Sequence, residues 1–156
     1  MTLSDPFIKS VLEKIDSPAV IGVGIVGSYS RGQESKYSDV DFNIFVNQMP
    51  ENEYDRYILQ HWDDKLVSLK YVLLDDELAA LTNPRRAIWA VPGLSGMQII
   101  LDKDGSLTEL QKLAQKFDWS LLQPEADEFA AEGIMGCAEE VHKILNGLAR
   151  GHEATV

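Results

Sequence analysis

The sequence predicts an α/β domain in which a short mixed sheet carries helices, followed by a long C-terminal helix. Three observations predict it. Segments with apolar residues at helical spacing alternate with β-branched runs, one of those runs (residues 19–26) is almost wholly apolar, and near Pro124 the pattern changes to a single long helical stripe.

The first element opens at Asp5 as the expected N-cap, with Pro6 at the first helical position and Ile8, Val11, Leu12 and Ile15 at helical spacing. That helix ends before Pro18. Residues 19–26 read as a buried strand, with Gly22 and Gly24 on one face where something packs closely. Gly27 begins a polar turn reaching Tyr37. The next strand, residues 39–46, alternates: Val40, Phe42, Ile44 and Val46 take one face, and Asp39, Asp41 and Asn43 the other. Residues 52–62 have helical composition, 66–74 read as a third strand, and 75–81 as a short helix stopped near Asn83-Pro84. Segments 88–91 and 97–101 flank a Pro-Gly turn, and Asp102-Lys103-Asp104-Gly105 turns into a helix over 107–117. The helices are expected on one face of the sheet and the functional site on the other. From Glu125 a long helix carries Ala130, Ile134, Ala138, Val141, Leu145 and Leu148 as an apolar stripe, with Glu125, Asp127 and Glu128 at its positive end. The boundary is placed there, giving residues 1–122 as one domain and 123–156 as a C-terminal helix. That helix packs back on the sheet, begins a helical second domain, or pairs with another subunit in a homo-oligomer.

Lys and Arg number 14 against 25 Asp and Glu, a net charge of −11. Such a charge repels polyanions, so DNA and RNA are not expected partners, whereas a cationic acceptor is attracted; a solubilising acidic surface explains the charge equally well. The single cysteine, Cys137, cannot form an internal disulfide, and the start MTLSDPF lacks the segments of a secretory signal. No apolar run reaches the length of a membrane span. A cytoplasmic protein with no membrane partner is expected.

Three phosphate-site patterns share the same glycines. Gly22-x-Gly24-x-x-Gly27 matches the dinucleotide fingerprint in letters, but its glycines lie within the strand and a polar turn follows instead of a helix. Gly27-x-x-x-x-Gly32 has P-loop spacing yet continues Gln33-Glu34 where Lys and Ser or Thr are needed. The third pattern is Gly27-Ser28, ten residues, then Asp39-Val40-Asp41. Two carboxylates two apart on a strand point to one side, which suits joint ligation of a hard cation shared with substrate phosphates. Gly27 lets backbone N–H groups approach a phosphate, and Ser28 adds a hydroxyl. An isolated Asp-x-Asp is more often a solvated strand face; here it sits in a strand apolar enough to be central and follows a small-residue turn.

The stretch IVGSYSRGQESKYSDVDFNIFV, residues 25–46, resembles the signature of the DNA polymerase beta-like nucleotidyltransferase superfamily: a Gly-Ser turn, a gap of this length, and an acid-x-acid strand with apolar neighbours. Gly27, Ser28, Asp39 and Asp41 match it directly, and Ser38 before the first Asp is also typical. Residues Ile100 to Gly105 and Leu148 to Gly151 are similar to the antibiotic (aminoglycoside and lincosamide) adenylyltransferase branch, which continues into a C-terminal helical domain. The resemblance implies the polymerase beta-like nucleotidyltransferase fold. It also implies Mg²⁺ held by Asp39 and Asp41 as metal and catalytic residues, with a second ion ~4 Å away for the attacking oxygen. The implied reaction transfers a nucleoside monophosphate from an NTP, expected to be ATP, to a hydroxyl of a small acceptor such as an aminoglycoside.

The family usually places a third carboxylate on the next strand, but residues 65–74 offer Ser68 and Lys70 on the matching face and no acid. Asp75 and Asp76 at that strand's end are substitutes if they are not simply helix-capping residues. Arg31, in the turn, and Lys70 are candidate triphosphate contacts, each with a solvent-facing alternative. His61, expected on a helix surface, His142 and His152 show no metal-ligand spacing, and Trp62, Trp89 and Trp119 read as core or boundary packing. Two other classes stay open: a catalytically weak regulatory or antitoxin-like protein, favoured by the missing acid, and a nucleotide-binding module without transfer chemistry.

Overall fold

A computed structural model describes residues 4–150, which divide into two compact units at Phe117/Asp118. The first is built from α1 (Asp5–Ile15), β1 (Val20–Val26), α2 (Gly27–Ser30), β2 (Val40–Val46), β3 (Tyr57–Trp62), β4 (Lys65–Leu73), α3 (Leu74–Ala80), α4 (Pro84–Ser95), β5 (Gln98–Asp102) and α5 (Ser106–Gln115). The five strands form one mixed sheet in the order β3-β4-β2-β1-β5, with β2 and β4 parallel and the other pairs antiparallel.

Burial sorts the faces. Phe7, Val11 and Ile15 of α1 lie in one cluster with Val23, Ile25, Val40, Phe42, Ile44, Val67 and Leu69, so α1 covers the face that the alternation in β2 marks as apolar. Gly22 and Gly24 point to the opposite face, which also carries Asp41. A Cβ at Gly22 would meet the Leu101 carbonyl at 2.6 Å and Leu107 of α5 at 2.7 Å, and one at Gly24 would collide with the Met97 side chain. Helices therefore cover both faces, not one: α5 packs on the site-bearing side, at the end of β1 away from Asp41, where Gly22 leaves room for Leu107.

Several local expectations change. Ser4, not Asp5, is the N-cap of α1, its hydroxyl accepting from Phe7 N–H at 3.4 Å. Residues 52–62 are not a helix: a single 3-10 turn, Glu53–Asp55, precedes the edge strand β3, which pairs antiparallel with β4. Asp63 and Asp64 close that hairpin, with Asp63 at φ 54, a left-handed position that Asp tolerates. His61 accordingly sits on an exposed strand. Pro92-Gly93 is not a turn between strands either. α4 runs through it to Ser95, started by Asn83, whose side chain accepts from Arg85 and Arg86 N–H, and held down by Ala87, Val91 and Leu94 at helical spacing. Trp89 lies on the outer side of α4 and is 74% exposed, not core, whereas Trp62 packs at the core edge beneath Lys14, 4.3 Å from the ring centroid.

The second unit holds the 3-10 turn Trp119–Leu121 and α6 (Gln123–Ala149). Ile134, Val141, Leu145 and Leu148 are exposed along α6, together with Met135 and Ile144, and so is His142. His152 and Gly151 lie outside the described residues. Among the described residues no helix is long and apolar enough to cross a membrane.

Candidate active site

Strand β1 ends at Val26, whose register partner on β2 is Asp41, so the chain turns at Gly27 immediately beside that carboxylate. Gly27 has φ 72, a conformation that glycine adopts without the steric cost of a Cβ. A Cβ there would also collide with Asp41 Oδ2. The turn then forms the short helix α2, in which Ser30 Oγ donates to Gly27 O at 3.1 Å and Gln33 N–H to Ser28 O at 2.9 Å. The residues expected to form a polar turn thus form a single helical turn, with Ser28 second in it.

Asp41 Oδ1 accepts a 2.6 Å hydrogen bond from Ser68 Oγ, and Ser68 is its register partner on β4. Ser68 is 4% exposed, the one buried polar side chain among the described residues. One carboxylate oxygen is therefore braced by β4 while the other lies against the Gly27 turn. Burial pushes the Asp41 carboxyl above its ordinary range; the Ser68 hydrogen bond opposes this, the charge of Asp39 adds to it, and Arg31 opposes it. Asp39 precedes β2 by one residue and Arg31 follows α2, so both ends of the 27–41 segment act on the same carboxyl.

Of the other expected site residues, Ser38 spends its hydroxyl locally, accepting from Ser35 N–H at 2.8 Å in the turn before β2. Arg31 is exposed, with Nε donating to Gln33 Oε1 at 3.1 Å. Lys70 is exposed on β4 opposite Asn43, on the Asp41 face and one same-face step, ~7 Å, along the strand from Ser68. Asp75 and Asp76 do not replace a third acid. They lie in the first turn of α3, beyond the end of β4 away from Ser68, where acids complement the helix dipole. Asp102 and Asp104 are likewise structural. Asp102 accepts from Gly105 and Leu107 N–H through Oδ1 and from Thr108 N–H and Oγ1 through Oδ2, fixing the start of α5.

The donor set fits a divalent cation in part. The charge of Asp39 adds to the cost of ionising Asp41, which a cation relieves, and the glycine leaves Asp41 Oδ2 free of any Cβ. Among the described residues no group of three or more His, Cys, Asp or Glu side chains is placed to hold a metal.

The sequence profile described as a nucleotidyltransferase domain matches residues 7–90, more than half of the chain. The chain belongs to this family. None of the curated proteins compared matches it significantly. The crystal structure of a nucleotidyltransferase-like protein from Exiguobacterium sibiricum is similar, with 20% identity and a TM-score of 0.49 over 97% of this chain and 59% of that protein, so the chain spans only that share of its length. The matched residues run from the first turn of α1 into α4 and include every element that surrounds Asp41. Ser68 is the residue that sequence reasoning left without a role. Alternation with Lys70 gives its face of the strand, but only the parallel register of β4 on β2 puts it opposite Asp41.

Proposed function

We propose that this nucleotidyltransferase domain transfers a nucleoside monophosphate from ATP to a hydroxyl of a small acceptor. The observation that carries the reading is the juxtaposition of Asp41 Oδ2 with the left-handed Gly27 turn, beside Asp39. Membership of the nucleotidyltransferase family supports it. Asp39 and Asp41 would hold Mg²⁺, which when bound neutralises phosphate charge and orients the α-phosphate. Gly27 and Ser28 receive the phosphates through backbone N–H and hydroxyl donors, and Arg31 and Lys70 supply cationic contacts. The acceptor oxygen bonds to the α-phosphorus, the bond to the β-phosphate oxygen breaks, pyrophosphate leaves, and the hydroxyl proton is released. The net charge of −11 favours a cationic acceptor such as an aminoglycoside over a nucleic acid and fits the antibiotic adenylyltransferase branch, and the single cysteine fits a cytoplasmic setting.

A second reading rests on Ser68: with a neutral hydroxyl where the family usually has a third acid, the domain binds nucleotide as a regulatory or antitoxin-like module and transfers it slowly or not at all. Labelled ATP, Mg²⁺ and a panel of aminoalcohol acceptors separate the two. Transfer predicts pyrophosphate and a labelled acceptor in equal amounts; binding without either product sustains the second reading and overturns the first.

A further inference from the structure

Carboxylate orientation is poorly fixed by the Asp side chain itself, because its terminal sp³–sp² torsion is broad. A carboxylate that must present one oxygen to a ligand therefore needs an external brace. Asp41 has one in Ser68. The 2.6 Å separation falls in the short range of a hydroxyl bound to a carboxylate. The donor is itself nearly fully buried on a central strand, between Val67 and Leu69, so its position is set by the core. The bond ties up Oδ1 and leaves Oδ2 against the Gly27 turn. A neutral donor does this without adding charge to a pair of acids that already repel.

We propose that Ser68 is the positioning residue of this site, its hydroxyl holding Asp41 in the orientation that presents Oδ2 to a cation and nucleotide phosphate at the Gly27 turn. This deepens the reading of Asp39 and Asp41 as cation-holding groups and rests on it. The bracing hydroxyl then acts on ligand affinity and not only on stability, as groups that orient metal-binding carboxylates do.

The test uses the full chain, Mg²⁺ and α,β-methylene-ATP, with the dissociation constant read by calorimetry and apo melting recorded for each variant. Ser68→Thr and Ser68→Val have nearly the same shape and β-branched character and differ in the hydroxyl. Ser68→Thr is expected to bind as the unmodified protein does, whereas Ser68→Val and Ser68→Ala bind ~10–100-fold more weakly. Equal affinities for Ser68→Thr and Ser68→Val, with Asp41→Asn having lost binding, would overturn the positioning role alone. Binding that survives Asp41→Asn, or no binding by the unmodified protein, would overturn the site reading and this inference with it. If Ser68→Ala melts too low to assay, the Thr and Val pair decides.

Discussion

Replacing Gly27 by Ala tests the contact on which the site is built. Two costs add at this position. Alanine at φ 72 occupies the left-handed region, which costs about 1–2 kcal/mol. Its Cβ also lands on Asp41 Oδ2, and a carboxylate forced aside loses its charge-assisted bond from Ser68, a further ~1.5–3 kcal/mol. A total of roughly 2.5–5 kcal/mol should lower the melting temperature by ~5–20 °C in a chain of this size. The two costs separate in a double-mutant cycle, read by urea or thermal denaturation, because Asp41→Ala removes the oxygen that the new methyl would strike. In that background Gly27→Ala should cost only the backbone component, about 1–2 kcal/mol. Additivity of the two substitutions to within ~0.5 kcal/mol would refute the contact, and a cost of Gly27→Ala below that same margin would refute the backbone conformation as well.

Gly22→Ala should destabilise more than Gly24→Ala, within the ~1–3 kcal/mol range of overpacking, because the first meets the fixed Leu101 carbonyl and the second the flexible end of Met97; comparing their denaturation midpoints decides it. Asp102→Ala should cost about 1.5–3 kcal/mol by removing the acceptor for three backbone N–H groups and the Thr108 hydroxyl at the start of α5. Although burial works to raise it, these bonds hold the Asp102 carboxyl below its usual range. Its contribution is therefore present above the ordinary Asp value of about 3.9 and is lost as pH falls through the lower folded value. The melting difference between the native protein and Asp102→Ala should accordingly shrink below about pH 4 and stay constant from there to neutrality.

Much of the fold was legible because burial imposes a period. The apolar run 19–26 and the alternation in 40–46 located β1 and β2, and with them the side of the sheet that carries Asp41. β3 was not legible: as an edge strand it leaves Tyr57 55% and Leu59 52% exposed, so no alternation of apolar with polar residues marks it. α4 was hidden by Pro92-Gly93, a pair that signals a break, and by reading Asn83-Pro84 as the stop of the preceding helix when the same pair, an N-cap followed by Pro at the first helical position, starts the next one. The Gly27 to Asp41 approach could be anticipated from spacing, since both ends of the segment adjoin strands. The Ser68 brace and the positions of Asp75 and Asp76 depend on strand register and strand length, quantities set by pairing between segments far apart in the chain.

The reading of Asp39 and Asp41 as the nucleotide and cation site is tested most directly by thermal melting of the native protein and Asp41→Asn, each with and without MgATP. Burial and Asp39 outweigh Ser68 and Arg31 and raise the Asp41 carboxyl, so its stabilising effect on the apo fold is complete only below the ordinary Asp range and is lost as pH rises through the folded value. Asn keeps an acceptor for Ser68 without the charge. At neutral pH Asp41→Asn should therefore melt at or slightly above the native apo midpoint and show no stabilisation by MgATP, while the native protein gains stability with ligand concentration. A large apo loss in Asp41→Asn combined with a retained MgATP response would contradict the account.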